Sequence, residues 1–221
     1  MTQKFTILFD LDGTLIDTAP DLIRAHNHVM KKFGYPTKTL GELKNAVGRG
    51  AKAMMAKANG QWKWFDEKIQ NEMTNEFLSY YGENIFHESK LINGVKEFLN
   101  WCKKENISMA VCTNKTEHLA VDLLKKIGIY DYFEYVAGYN TFEYCKPDPR
   151  HLTTIIEILD GDINKSIMIG DSETDANAAK AAEIPIILLK YGYTEKKTSE
   201  IYHNHLVKDF VGIEKIINEY L

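Results

Sequence analysis

The first pattern along the chain is a short, almost unbroken apolar run. Residues 5–11 read Phe-Thr-Ile-Leu-Phe-Asp-Leu. A run this rich in β-formers, without polar alternation, predicts a strand covered on both faces. The period then changes. Leu22, Ile23, His26, Val29, Met30 and Phe33 recur at helical spacing. Thr18 is placed to cap that helix, Pro20 suits its first turn, Asp21 brings negative charge to its start and Gly34 closes it. Residues 39–81 continue as helices with no strand between them, broken near Gly48-Arg49-Gly50 and Asn59-Gly60.

From about residue 91 strands and helices alternate. The pattern predicts helices over 95–104, 117–127, 152–159 and 176–182, strands over 107–112, 135–137, 166–169 and 186–189, and a C-terminal helix. Such alternation makes βαβ units and a parallel sheet. The expected fold is therefore α/β. Residues 1–16 and 89–221 form the sheet-bearing core, and an all-helical block, 17–88, is inserted after the first strand.

Composition narrows the class of function. The chain has 221 residues, 44% hydrophobic and 26% charged, enough for a buried core and unlike a disordered chain. Its 27 basic residues against 31 acidic ones give a net charge of −4, so no clustered basic excess points to nucleic acid. No apolar run approaches the ~20 residues that span a bilayer, and the run at 5–9 is too short for a signal peptide. Cys102, Cys112 and Cys145 are odd in number and lack metal spacing, which suggests free thiols in the cytoplasm. A monomer or homodimer is expected.

The chemistry-bearing residues follow the expected strands. Asp10 and Asp12 come after the first, Thr113 and Asn114 after the second, and Gly170 and Asp171 after the strand at 166–169, with Asp175 close behind. Lys146 lies in a loop before a helix. Ligands of open parallel sheets bind beyond the carboxyl ends of the strands, so these groups can converge. Phosphate monoester hydrolysis is among the slowest uncatalysed reactions, and a carboxylate nucleophile divides it into two easier steps. Carboxylate and phosphate repel each other. Mg²⁺ between Asp10 and Asp171, with the Lys146 ammonium, offsets that repulsion. Asp10 and Asp12 are two residues apart and share a face of an extended backbone, so one can attack while the other moves the proton. Thr113 and Asn114 can donate to phosphate oxygens.

Four segments carry a specific resemblance. Asp10-Leu11-Asp12-Gly13-Thr14-Leu15, Thr113-Asn114-Lys115, Lys146-Pro147 and Gly170-Asp171-Ser172-Glu173-Thr174-Asp175 resemble, in order, the four motifs of the haloacid dehalogenase superfamily. The resemblance covers essentially the whole chain. It implies a Rossmann-like core with a helical cap, Asp10 as nucleophile and Asp12 as acid and base. It also implies Mg²⁺ held by Asp10, the backbone carbonyl of Asp12 and Asp171, with Asp175 supporting Asp171 or Lys146. Thr18-Ala19-Pro20-Asp21-Leu22, Val47-Gly48-Arg49-Gly50 and Tyr191-Gly192-Tyr193 are similar to the phosphoglycolate phosphatase branch. Glu183, where that family usually has glycine, and Asn93-Gly94, where it has Pro-Gly, depart from the pattern. If residue 183 is left-handed, Glu costs roughly 1 kcal/mol there.

The function expected is hydrolysis of a small phosphorylated metabolite through an aspartyl-phosphate. A dehalogenase has little use for Asp12 and Mg²⁺, and a phosphonate hydrolase of this superfamily normally lacks the second aspartate. A sugar phosphomutase shares all four motifs, and a non-catalytic phosphate-binding protein keeps the fold; these remain the alternatives. Arg49, between two glycines in the helical block, is the candidate reader of the substrate's far end. The pairs His26/His28 and His203/His205 are poor metal sites. Cys145 is taken as an idle thiol, and Trp62, Trp64 and Phe65 as packing of the helical block.

Overall fold

The computed structural model describes residues 4–47, 50–57, 66–194 and 196–221. The apolar run at the start becomes β1 (Thr6–Phe9), all four residues buried. Ile7 and Phe9 face one core cluster and Leu8 the other, as a strand's twofold alternation requires. β2 (Ile16–Asp17) follows, and then α1 (Ala19–Lys32), α2 (Leu40–Val47), α3 (Ala51–Lys57) and α4 (Glu67–Glu83). β3 (Lys90–Leu91) pairs antiparallel with β2, so the chain leaves and re-enters the sheet-bearing part side by side.

Alternation then begins with α5 (Val95–Lys104), β4 (Ser108–Cys112), α6 (Glu117–Ile127) and β5 (Tyr135–Ala137). It continues with α7 (Arg150–Ile158), β6 (Ser166–Gly170), α8 (Glu173–Ala181), β7 (Ile186–Leu189), β8 (His205–Val207) and α9 (Ile213–Ile217). The sheet runs β5-β4-β1-β6-β7-β8, and every pairing is parallel. β1 lies between β4 and β6, where the strand order reverses, and ligands of open parallel sheets gather beside such a point. On one face Phe9 packs against Phe98, Phe133 and Phe210; on the other, Leu8, Ala110 and Met168 lie under α7 and α8.

The structure departs from the sequence reading in four places. β2, β3 and β8 were not foreseen, since two or three residues carry no readable period. α8 begins at Glu173, not near 176. Thr18 precedes α1, but its side chain makes no cap bond; the hydroxyl donates to the Asp12 carboxylate at 2.6 Å. Asp21 does more than favour the helix start. It is buried and accepts from the backbone N–H groups of His87, Glu88 and Ser89 and from the Ser89 hydroxyl, tying α1 to the returning chain. Those bonds hold its carboxyl below the ordinary value even though burial acts to raise it.

The departures at 93 and 183 have structural accounts. Asn93 bonds Asp209, and its carbonyl accepts from Phe210. Glu183 ends α8 with φ +58°. Among the described residues no helix is long and apolar enough to cross a membrane.

Candidate active site

Just past β1 the chain folds into a tight turn. The N–H groups of Leu15 and Ile16 both reach back to the Leu11 carbonyl, and that of Gly13 reaches the Ile16 carbonyl. Gly13 has φ +87°, and a Cβ there would lie 2.4 Å from an Asp171 oxygen. The turn thus presses β1's end against the end of β6. Thr14 Oγ1 donates to Asp171 Oδ1 at 3.0 Å, and the Tyr193 N–H to Asp171 Oδ2 at 2.6 Å. The Tyr193 hydroxyl bonds Asp17 and accepts from the Ala19 N–H, linking this carboxylate to the entry of the helical block.

Lys146 lies at the centre. Its buried Nζ is 2.8 Å from Asp10 Oδ1 and 2.6 Å from Asp175 Oδ1. The Asp175 Oδ2 accepts from the N–H groups of Asp171 and Ser172 and from the Ser172 hydroxyl, so both its oxygens are engaged. Asp175 therefore serves Lys146 and Asp171 together while shaping the start of α8. The Lys146 backbone is held too. Its N–H donates to His151 Nδ1 at 3.1 Å and its carbonyl accepts from the Asn114 amide at 2.8 Å. Burial keeps His151 neutral, with its pKa lowered to about 3.

Asp12 points to a different partner. Lys115 Nζ meets both its oxygens, at 2.9 and 3.0 Å. Thr113 Oγ1 accepts from the Lys115 N–H, which leaves the hydroxyl hydrogen free to donate. The Asn114 amide spends one N–H on Lys146 and keeps a second. In the sequence Lys115 stands only as the third residue of Thr113-Asn114-Lys115. A lysine carries no sequence mark of burial, and adjacency to Thr113-Asn114 was the available signal.

Three buried carboxylates, Asp10, Asp171 and Asp175, each bring an oxygen within 4.8 Å of the others, with one ammonium among them. Burial, then the neighbouring Asp175 and Asp12, raise Asp10 to about 6 in spite of Lys146. Burial, then Asp10 and Asp175, push Asp171 well above the ordinary carboxyl range. An all-oxygen donor set with uncompensated negative charge fits a hard divalent cation.

Between these strand ends and the helical block is a cavity of about 260 Å³. Asp10, Asp12, Thr113 and Lys146 line one side; Leu22, Met54, Phe77 and Leu78 line the other. Arg49 lies outside the described residues, as do Trp62, Trp64 and Phe65. Lys52 of α3 lines the cavity and makes no ion pair among the described residues. The histidine pairs are engaged elsewhere: His28 with Glu76 and the Tyr80 ring, His205 with Tyr220. Cys145 is half-buried, and burial raises its thiol.

The chain is similar to known proteins in sequence and in fold. Residues 7–189 match the family model described as haloacid dehalogenase-like hydrolase. A phosphoglycolate phosphatase of Mesorhizobium japonicum is 37% identical over 92% of this chain and 90% of its own length. One of Agrobacterium fabrum is 37% identical over 97% of this chain and 92% of its own. The crystal structure of a predicted phosphoglycolate phosphatase from Haemophilus somnus 129pt superposes with a TM-score of 0.89, at 28% identity, over 98% of this chain and 99% of that one.

Proposed function

The chain belongs to the haloacid dehalogenase-like hydrolases, and we propose that it is a Mg²⁺-dependent phosphatase of a small phosphorylated metabolite, phosphoglycolate or a close relative. The single observation that carries this reading is the buried Lys146 ammonium bridging Asp10 and Asp175, with Asp171 beside them. The names of the relatives support the substrate class.

Asp10 attacks phosphorus, forming an aspartyl-phosphate as the ester P–O bond breaks. Asp12, carrying the proton taken from water in the preceding turnover, gives it to the departing oxygen. Water then attacks the phosphorus and passes a proton to the Asp12 carboxylate, and the bond to Asp10 breaks, releasing phosphate. The Thr113 hydroxyl, the free Asn114 N–H and Lys146 hold the phosphoryl oxygens. Asp10, Asp171 and the Asp12 backbone carbonyl would hold Mg²⁺, which supplies positive charge against the repulsion of carboxylate and phosphate. Residues 17–88 act as a cap over the core of 1–16 and 89–221. Arg49, in the segment between α2 and α3, reads the far end of the substrate. Free thiols at all three cysteines suit the cytoplasm.

The test is hydrolysis of p-nitrophenyl phosphate and of a panel of metabolite phosphates, with and without a chelator. Phosphate release that stops on chelation is expected. Undiminished release after exhaustive chelation removes the metal from the reading, and isomerisation without release points to a mutase. Arg49→Ala should cost more on the best metabolite than on p-nitrophenyl phosphate, which has no far anion.

A further inference from the structure

Lys115 is an unusual group to bury. Its ammonium lies buried between the core and the helical block at the edge of the cavity, and an ammonium largely out of water is costly unless it is well partnered. It has two partners, one from each side. On the core side is Asp12, gripped through both oxygens at 2.9 and 3.0 Å. On the other is the ring of Tyr81 in α4, whose centroid lies 4.5 Å from Nζ. Burial acts to neutralise the ammonium, but the Asp12 carboxylate, then Tyr81, hold its pKa above the ordinary lysine value. Tyr81 is itself buried and stacks on Phe77, so its ring cannot drift.

The backbone under Lys115 is equally fixed. Its N–H donates to Thr113 Oγ1, and its carbonyl accepts from the Tyr139 N–H at 2.8 Å. Gly138 presses against this segment so closely that a Cβ there would lie 2.6 Å from the Lys115 carbonyl oxygen. The lysine thus leaves a rigid base and ends in a nest with one wall in the core and one in α4. Thr18, at the entry to α1, adds a bond to Asp12 Oδ1.

We propose that Lys115 is the positioning residue of Asp12 and that Tyr81 fixes Lys115, so that α4 sets the orientation of the carboxylate that moves the proton. This rests on the phosphatase reading above. Lys115 touches no reacting atom in it and acts through Asp12 alone. The helical block then contributes to the proton transfer as well as covering the cavity.

The experiment compares kcat/KM, which reports steps up to the first phosphoryl transfer, for a simple alkyl phosphate and for p-nitrophenyl phosphate. An alkoxide must be protonated as it leaves; p-nitrophenolate needs little help. Lys115→Met should lower kcat/KM for the alkyl ester on the order of 100-fold, the lower range for an acid–base group, and for the nitrophenyl ester several-fold less. Tyr81→Leu should show the same bias, and Tyr81→Phe, which keeps the ring face, a smaller one. Thermal unfolding accompanies each variant, and the Tyr81 pair carries the test if Lys115→Met does not fold. Equal losses on both esters by folded variants, or Tyr81→Phe matching Tyr81→Leu, would overturn the proposal. If the wild-type protein hydrolyses neither ester, the phosphatase reading itself fails, which is a separate result.

Discussion

The two buried lysines beside the cavity live in opposite electrostatic settings. Lys146 sits among Asp10, Asp175 and Asp171, one ammonium against three carboxylates, and burial drives Asp10 and Asp171 toward the protonated state. Lys115 sits against Asp12 alone, with a hydroxyl and an aromatic ring completing the nest. The first region is overcharged and suits a cation that the chain does not itself supply. The second is neutral by its own residues and holds a geometry. One site thus combines a part that waits for charge with a part already complete, and the same substitution should act differently in each.

Replacing aspartate by asparagine tests this most strongly. Asp10→Asn should lower turnover on the order of 10⁴-fold or more, since the amide is not a competent nucleophile. It should also stabilise the metal-free fold, because it removes an uncompensated buried anion. Asp12→Asn should slow both chemical steps and destabilise the fold by about 3–5 kcal/mol, because it strands the Lys115 ammonium. Activity assays with thermal or denaturant unfolding of both variants check this. The contrast breaks if both substitutions move stability in the same direction.

The overcharged region also predicts an inverted pH dependence. The Asp10 carboxyl is raised from 3.8 to about 6 in the folded protein. Between these values the unfolded chain has given up its proton while the folded one retains it. This contribution is therefore fully present below about 4 and is lost as pH rises through about 6. Two pKa units correspond to on the order of 2–3 kcal/mol at most. Without metal, wild type should lose stability relative to Asp10→Asn across that window. Mg²⁺ should raise the melting temperature more at pH 7.5 than at pH 5. A Mg²⁺ shift of equal size at both values would mean that these carboxylates are not its ligands.

The smallest effect lies outside both regions and serves as their control. Glu183 is exposed and left-handed at φ +58°. Glu183→Gly should raise stability by up to about 1 kcal/mol, since the strain relieved exceeds the chain entropy added, and leave activity unchanged. A melting-temperature comparison with parallel kinetics suffices.

Much of this was legible in the sequence. The helices at 95–104 and 117–127 and the strands at 135–137 and 186–189 fall where hydrophobic period and glycine punctuation put them. Asp10, Thr113 and Asp171 stand out because polar groups at the ends of short apolar strands have few other uses, and Lys146 stands out only beside Pro147 in the resemblance. Thr18 was misread because its sequence position fits a helix cap. The hydroxyl instead found a carboxylate at 2.6 Å, a stronger acceptor than any cap partner. Lys115 is marked in the sequence only by adjacency to Thr113-Asn114, for a deeper reason. Its partners, Asp12 and the Tyr81 ring, are far from it in the chain and meet it only in the folded protein.

The paired β2 and β3 carry a consequence for how such a protein can change over time. Asp17 and Lys90 are direct antiparallel partners, so the two ends of the intervening chain stand about 5 Å apart. That spacing is one a two-residue hairpin spans. Everything between them is, to the sheet, a parenthesis. Its length and contents can be rewritten without altering the register of β1 with β4 or β6, provided that whatever fills it returns to the same pair. A different lining for the cavity can thus arise by exchanging one continuous stretch of gene, provided that the replacement restores the contacts Thr18 and Tyr81 make with Asp12 and Lys115.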